Sequence, residues 1–203
     1  TANVAALSTS QVNHMTTDQV ASMSAVQVKA LSKAQVTALN SDQVSNLTTT
    51  QVASMLGVQV SAIETDDLQH MTASQVAAFT TEQMKALTTA QMVALQSDQV
   101  RNLGTAQIAA LSATQVAAIE TADLVLLTNS QIESISTAGI AALSTDQVKV
   151  ITTSQIKALT AAQITALTTD VSVVATDQLR QLNDEQVAAI TTAGIAALTT
   201  AQV

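Results

Sequence analysis

The chain has 203 residues and sets seven Lys and Arg against fifteen Asp and Glu, a formal net charge of −8, with no Cys, Pro, Trp or Tyr and a single Phe, Phe79. Aromatic side chains supply much of an ordinary globular core, so their scarcity excludes a conventional compact domain and favours a thin layered core of Val, Ile, Leu, Met and Ala. The lack of Cys removes disulfide frameworks and thiolate metal sites, no apolar run approaches the ~18 residues of a membrane span, and no signal-peptide pattern opens the chain.

Residues 1–7 end a unit whose beginning is missing. From Ser8 onward the chain reads as consecutive octads, STSQVNHM, TTDQVASM, SAVQVKAL, SKAQVTAL and NSDQVSNL, with the consensus T-[TS]-[ADST]-Q-[VI]-x-A-[LIM]. Few charges and low complexity would suit a disordered chain, but disordered chains are poor in Val, Leu and Ile, and here these stand at fixed places. An ordered repeat array is expected.

Each octad predicts one short helix. In Thr16–Met23 the N-cap is Thr16, and Gln19 follows three residues later, which is the spacing of a capping box: the Thr oxygen accepts the N–H of Gln19 while the Gln side chain returns to the N-cap N–H. Met15 and Val20 have the spacing of a hydrophobic staple. Acids favour the third octad place (Asp18, Asp42, Glu82, Asp98, Asp146) and bases the sixth (Lys29, Lys85, Arg101, Lys149, Lys157), as the helix dipole favours.

Two other structures fail. In one continuous helix the apolar residues Val12, Met15, Val20, Met23, Val28 and Leu31 drift by about 80° per octad at ~100° per residue, so no apolar face lasts. In a β-solenoid one face shares parity, yet Val20 is even and Met23 odd, and turn residues are missing. The expected fold is an all-α solenoid, or superhelix, of very short helices, one per eight-residue repeat, in a single array over residues 1–203. The fifth and eighth places, and much of the Ala at the seventh, face inward. Val20, Met23, Val28, Leu31, Val36 and Leu39 are expected to be buried, and Thr17, Asp18, Lys29 and Lys33 exposed.

Of twenty-four units, nineteen carry Gln at the fourth place; the exceptions are Asp67, Asp123, Gly139, Gly194 and a one-residue deletion in TTDVSVV, residues 168–174. The deletion predicts a short helix or a kink, and Asp67 is expected to replace Gln as box acceptor. A slower period relates His14–Met15 to His70–Met71, SDQVSNL at Ser41 to SDQVRNL at Ser97, and ETDDL at Glu64 to ETADL at Glu120, each 56 residues apart. Residues 199–203 begin a unit that never finishes. Solenoids carry polar caps, so the sequence reads as a section of a longer repeat protein whose cut ends favour end-to-end self-association.

No catalytic, cofactor-binding or metal-binding residue is expected. The carboxylates Asp66–Asp67 and Asp184–Glu185 are first-turn acids, which complement a helix dipole without forming the enclosed pair that acid–base work needs. His14 and His70 have no accompanying ligand set, and no calcium-loop pattern exists. Ser and Thr are abundant but already explained by capping, and Gly57, Gly104, Gly139 and Gly194 are isolated, so an enzyme is not expected.

The string Leu47-Thr48-Thr49-Thr50-Gln51-Val52 resembles the start of the repeats in TAL effectors, DNA-binding proteins of plant pathogens. It covers only the capping turn of each unit, the period is eight, and no Gly-Gly base-reading loop or basic stripe follows. Excess acid opposes phosphate binding, so no nucleic acid is expected as a partner, nor membrane insertion. The array as a whole resembles the Thr/Ala/Gln/Val-rich stretches of very large secreted bacterial proteins of the adhesin or hemagglutinin type. That resemblance implies an extracellular or cell-surface stalk, spacer or filament segment. A solenoid binding module presenting one face to a peptide, glycan or protein is the alternative.

Overall fold

In the computed structural model residues 2–202 are described, apart from the side chains of residue 2 and residues 168–170. Helices of four to seven residues follow one another along the chain, and no strand occurs among the described residues. Thr17–Ala21, Ala25–Lys29 and Lys33–Thr37 are typical, each beginning one residue after its Thr or Ser cap. The all-α repeat solenoid is the observed fold.

The box forms as the sequence requires. Thr16 Oγ1 accepts the Gln19 N–H at 3.2 Å, and Gln19 Oε1 accepts the Thr16 N–H at 2.8 Å. The Gln half persists where the cap has no side-chain oxygen to offer: the N–H groups of Leu56, Gly104 and Ala175 still donate to Gln59, Gln107 and Gln178 at 2.7 Å. Each helix stops because the eighth octad residue and the following cap are both extended, as at Met55 (φ −62°, ψ 151°) and Leu56 (φ −79°, ψ 153°). Two extended residues in succession redirect the chain without Pro or a left-handed Gly.

The described chain groups into two compact units, Thr1–Ala110 and Leu111–Val203. Within the first, Ser41–Ser45 packs on Thr65–His70 and Ala25–Lys29 on Thr49–Ser54; within the second, Ala113–Ala117 packs on Thr137–Ala141, which packs on Ala161–Leu167. Helices three octads apart are thus stacked neighbours. Polar links between successive coils span 25 residues (Thr37 to Ala62), 26 (Ser41 to Asp67) and 28 to 31 (Gln43 to Met15, Asn13 and Val12), which brackets a turn of about 28 residues, three and a half octads.

The core is the expected pair of apolar places. Val20, Val28 and Val36 are buried to 0–1% exposure, and Met23, Leu31 and Leu39 are buried beside them. At roughly 1.5–3 kcal/mol per buried aliphatic side chain, this seam is the main stabilising term. The seventh-place Ala residues are mostly half-buried, with Ala62 and Ala94 fully inside. Asp18, Lys29 and Lys33 are exposed, but Thr17 is half-buried, contrary to expectation. The second octad place lies beside the next coil, as Ser41 shows by reaching Asp67.

At the deletion, Ala161–Leu167 runs directly into a 3-10 helix, Thr168–Val173. The missing residue is the box Gln, so the box's return bond from the fourth place is lost, and the backbone at Leu167 stays helical (φ −65°, ψ −22°) instead of turning extended. Val171 and Val174 nevertheless keep their three-residue spacing and are 1% and 2% exposed. The apolar seam passes through the fault.

Candidate functional site: the buried glutamine ladder

The fourth octad place holds the most organised chemistry in the molecule. Gln43 is 1% exposed. Its Oε1 accepts the Asn40 N–H at 3.0 Å, which is the box, while its Nε2 donates to the carbonyls of Val12 at 2.9 Å, Asn13 at 3.1 Å and Met15 at 2.7 Å. Those carbonyls are the unsatisfied C-terminal groups of the helix Thr9–Asn13 and the residues just after it. One side chain therefore closes the start of its own helix and the end of the helix four octads earlier.

The arrangement repeats with the same numbering. Gln51 donates to Val20 and Met23, Gln59 to Val28 and Leu31, Gln83 to Val52 and Met55, and Gln155 to Leu124 and Leu127. Across the deletion every separation falls by one: Gln186 reaches Lys157 and Leu159, 29 and 27 residues back, and Gln178 reaches Ile151, 27 back. Beyond it Gln202 returns to Ser172 and Val174, at 30 and 28. Among the described residues no buried side-chain nitrogen or oxygen lacks a partner.

The sequence reading accounted for Gln by its acceptor oxygen alone and missed its donor. A signal was present: Glu serves a capping box as well as Gln does, yet no octad carries Glu at the fourth place. Only an amide can accept from an N–H and donate to carbonyls at once.

The residues singled out by sequence fall apart in space. Asp66 is exposed and Asp67 is buried, so they point to different surroundings, and Asp184 and Glu185 are both exposed. Asp67 does not act as a box acceptor, because the helix Thr65–His70 has no capping box; its carboxylate instead accepts from Ser41 Oγ, in the preceding coil, at 2.7 Å. Its shorter side chain turns across to that coil. Burial pushes the Asp67 carboxyl above the usual carboxylate value; the Ser41 hydrogen bond and nearby His70 oppose this, while Glu64 and Asp66 add to it.

His14 and His70 make the same local bond, Nδ1 to the carbonyl four residues earlier, at 2.7 Å to Ser10 and 2.6 Å to Asp66. Among the described residues no three His, Cys, Asp or Glu side chains gather as a metal site would require, and no helix is long and apolar enough to cross a membrane. The largest cleft, about 420 Å³, is open and lined by Lys33, Thr37, Glu64, Asp66 and Gln91 among others.

Comparison with known proteins adds one match. A family model described as the ALTTAQ repeat matches residues 1–25, 60–97, 92–119, 116–153 and 141–169. No curated protein matches the chain.

Proposed function

The chain belongs to the ALTTAQ repeat family, and on that premise we propose that it is a load-bearing structural segment, a stalk, spacer or filament section, of a secreted or cell-surface bacterial protein. The observation that carries the reading is the glutamine ladder: each coil is bonded to the next at every regular octad by amide donors buried among carbonyls. Each such bond contributes roughly 0.5–1.5 kcal/mol net, and a solenoid sums these contributions along its length. Such a body resists extension coil by coil. The polar side chains are engaged in holding backbone, which supports a non-enzymatic role. The composition's likeness to adhesin and hemagglutinin stretches supports the surface setting.

Stretching the chain in an optical trap, with handles on both termini, tests the proposal. A load-bearing segment resists and then yields in successive coil-sized steps; extension with the featureless compliance of an unfolded polypeptide would refute it. Saturable binding of a defined glycan or peptide in an array screen, in a chain that yields without resistance, would favour the binding-module alternative.

A further inference from the structure

In the coil interior the fifth octad place is sealed: Val12, Val20 and Val28 are 0% exposed. Within the unit Leu111–Val203, Val187 and Ile195 hold the same place and are 48% and 50% exposed. With Leu179, Leu182, Ile190 and Leu198 they line an apolar cleft of about 170 Å³. The carbonyls of Leu182, Ile190 and Leu198 occupy the eighth octad place, the one to which Gln51, Gln59 and Gln83 donate at 2.6, 2.7 and 2.6 Å. This edge offers acceptors and apolar surface.

The unit Thr1–Ala110 carries the converse edge. The Oε1 atoms of Gln11, Gln19 and Gln27 accept the Ser8, Thr16 and Ser24 N–H groups at 2.8 Å, as every box Gln does. Their Nε2 groups meet no acceptor among the described residues, and Gln11 and Gln19 are exposed, with half-buried Leu7 and Met15 nearby. The charges differ in sign as well. Octads 8–39 carry Lys29 and Lys33 against Asp18, and octads 175–198 carry Asp177, Asp184 and Glu185 against Arg180.

We propose that these two edges are complementary docking surfaces, and that the partner is a second copy of the chain: Gln11, Gln19 and Gln27 of one copy donate to eighth-place carbonyls of the other, and its first coil covers Val187 and Ile195. The ladder itself is the template for the joint, since the same donors and acceptors meet at every coil boundary described above. The joint is head-to-tail, so it leaves one free edge of each kind and propagates into an open filament unless its rotation closes a ring. This inference deepens the structural-segment reading and rests on it.

Sedimentation velocity of the 203-residue chain over a range of concentrations, with electron microscopy of the same samples, tests the joint. The expected result is mass rising in whole multiples of the chain and particles lengthening at constant width. The triple variant Gln11→Glu, Gln19→Glu, Gln27→Glu keeps an acceptor oxygen for each cap but has no donor to give, and its circular dichroism should match that of the parent. Its association should weaken at least tenfold. A parent that stays monomeric throughout, a variant that associates as strongly as the parent, or particles that widen instead of lengthening would each overturn the joint. None of these outcomes alters the resistance measured by stretching a single chain, so the two proposals fail independently.

Discussion

The side-chain amide of Gln43 donates at 2.7 Å to the carbonyl of Met15, 28 residues earlier, while the oxygen of the same amide accepts the Asn40 N–H at 3.0 Å. Gln43→Glu keeps the second bond and abolishes the first, and it places a carboxylate against three carbonyl oxygens. The expected loss is about 3 kcal/mol, as for a buried charge left without a partner. Gln11→Glu, in an exposed position, should cost under about 0.5 kcal/mol. Chemical denaturation of the two variants checks the contrast; equal losses would show that the cap alone accounts for Gln.

The fully buried Val28 gives a second expectation. Val28→Asp places an unpaired charge in the seam and should destabilise the first unit by about 3–5 kcal/mol. Amide exchange should report faster opening in Ala25–Lys29 and in the stacked helix Thr49–Ser54. Melting like that of the parent would refute the core assignment.

Asp67 ties stability to pH. Its folded carboxyl titrates above the model value of 3.8, chiefly through burial, so between the two values the folded chain binds more protons than the unfolded one. Stability from this group therefore rises as pH falls through the raised value towards 3.8, and is lost as pH rises again. Asp67→Gln removes that dependence and restores an amide at a ladder position, with a gain of roughly 1 kcal/mol at neutral pH. Thermal melts of both proteins from pH 7 to pH 4 should converge on acidification; a gap that widens instead would show that burial does not set the Asp67 titration.

Gly139 fills a ladder position without a side chain because neighbours occupy the space. A Cβ there would stand 2.8 Å from Ile135 Cγ2 and 3.0 Å from Val116 Cγ2, so one of them must shift. Gly139→Ala should cost about 1–3 kcal/mol, as overpacking does, even though Ala is the better helix former. Denaturation of the variant measures this, and stabilisation would mean that the seam yields freely.

The octad helices, their caps and the apolar seam were legible in the sequence because each arises within eight residues: Thr16, Gln19, Val20 and Met23 state the cap, the box and the core together. The coil-to-coil chemistry was not. Gln43 and Met15 are joined across 28 residues, and a side chain already explained by a local bond gives no reason to seek a distant one. The same blindness placed Thr17 outside and made Asp67 a box acceptor, since both depend on a coil that local spacing cannot supply. The number of octads per turn likewise follows from which residues stack, as Ser41 and Asp67 do.

A screw of about three and a half octads per turn has a phase, and whole octads do not preserve it equally. Copying three or four octads would rotate everything downstream by roughly half an octad's share of the circle, whereas copying seven completes two turns and returns each side chain to its original bearing. Within the first unit His14 and His70, 56 residues apart, make the same bond to the carbonyl four residues earlier, and Asn46 and Asn102 likewise bond to Asp42 and Asp98. A seven-octad duplication is thus the smallest whole-octad copy that lengthens this screw without turning its decoration to another side.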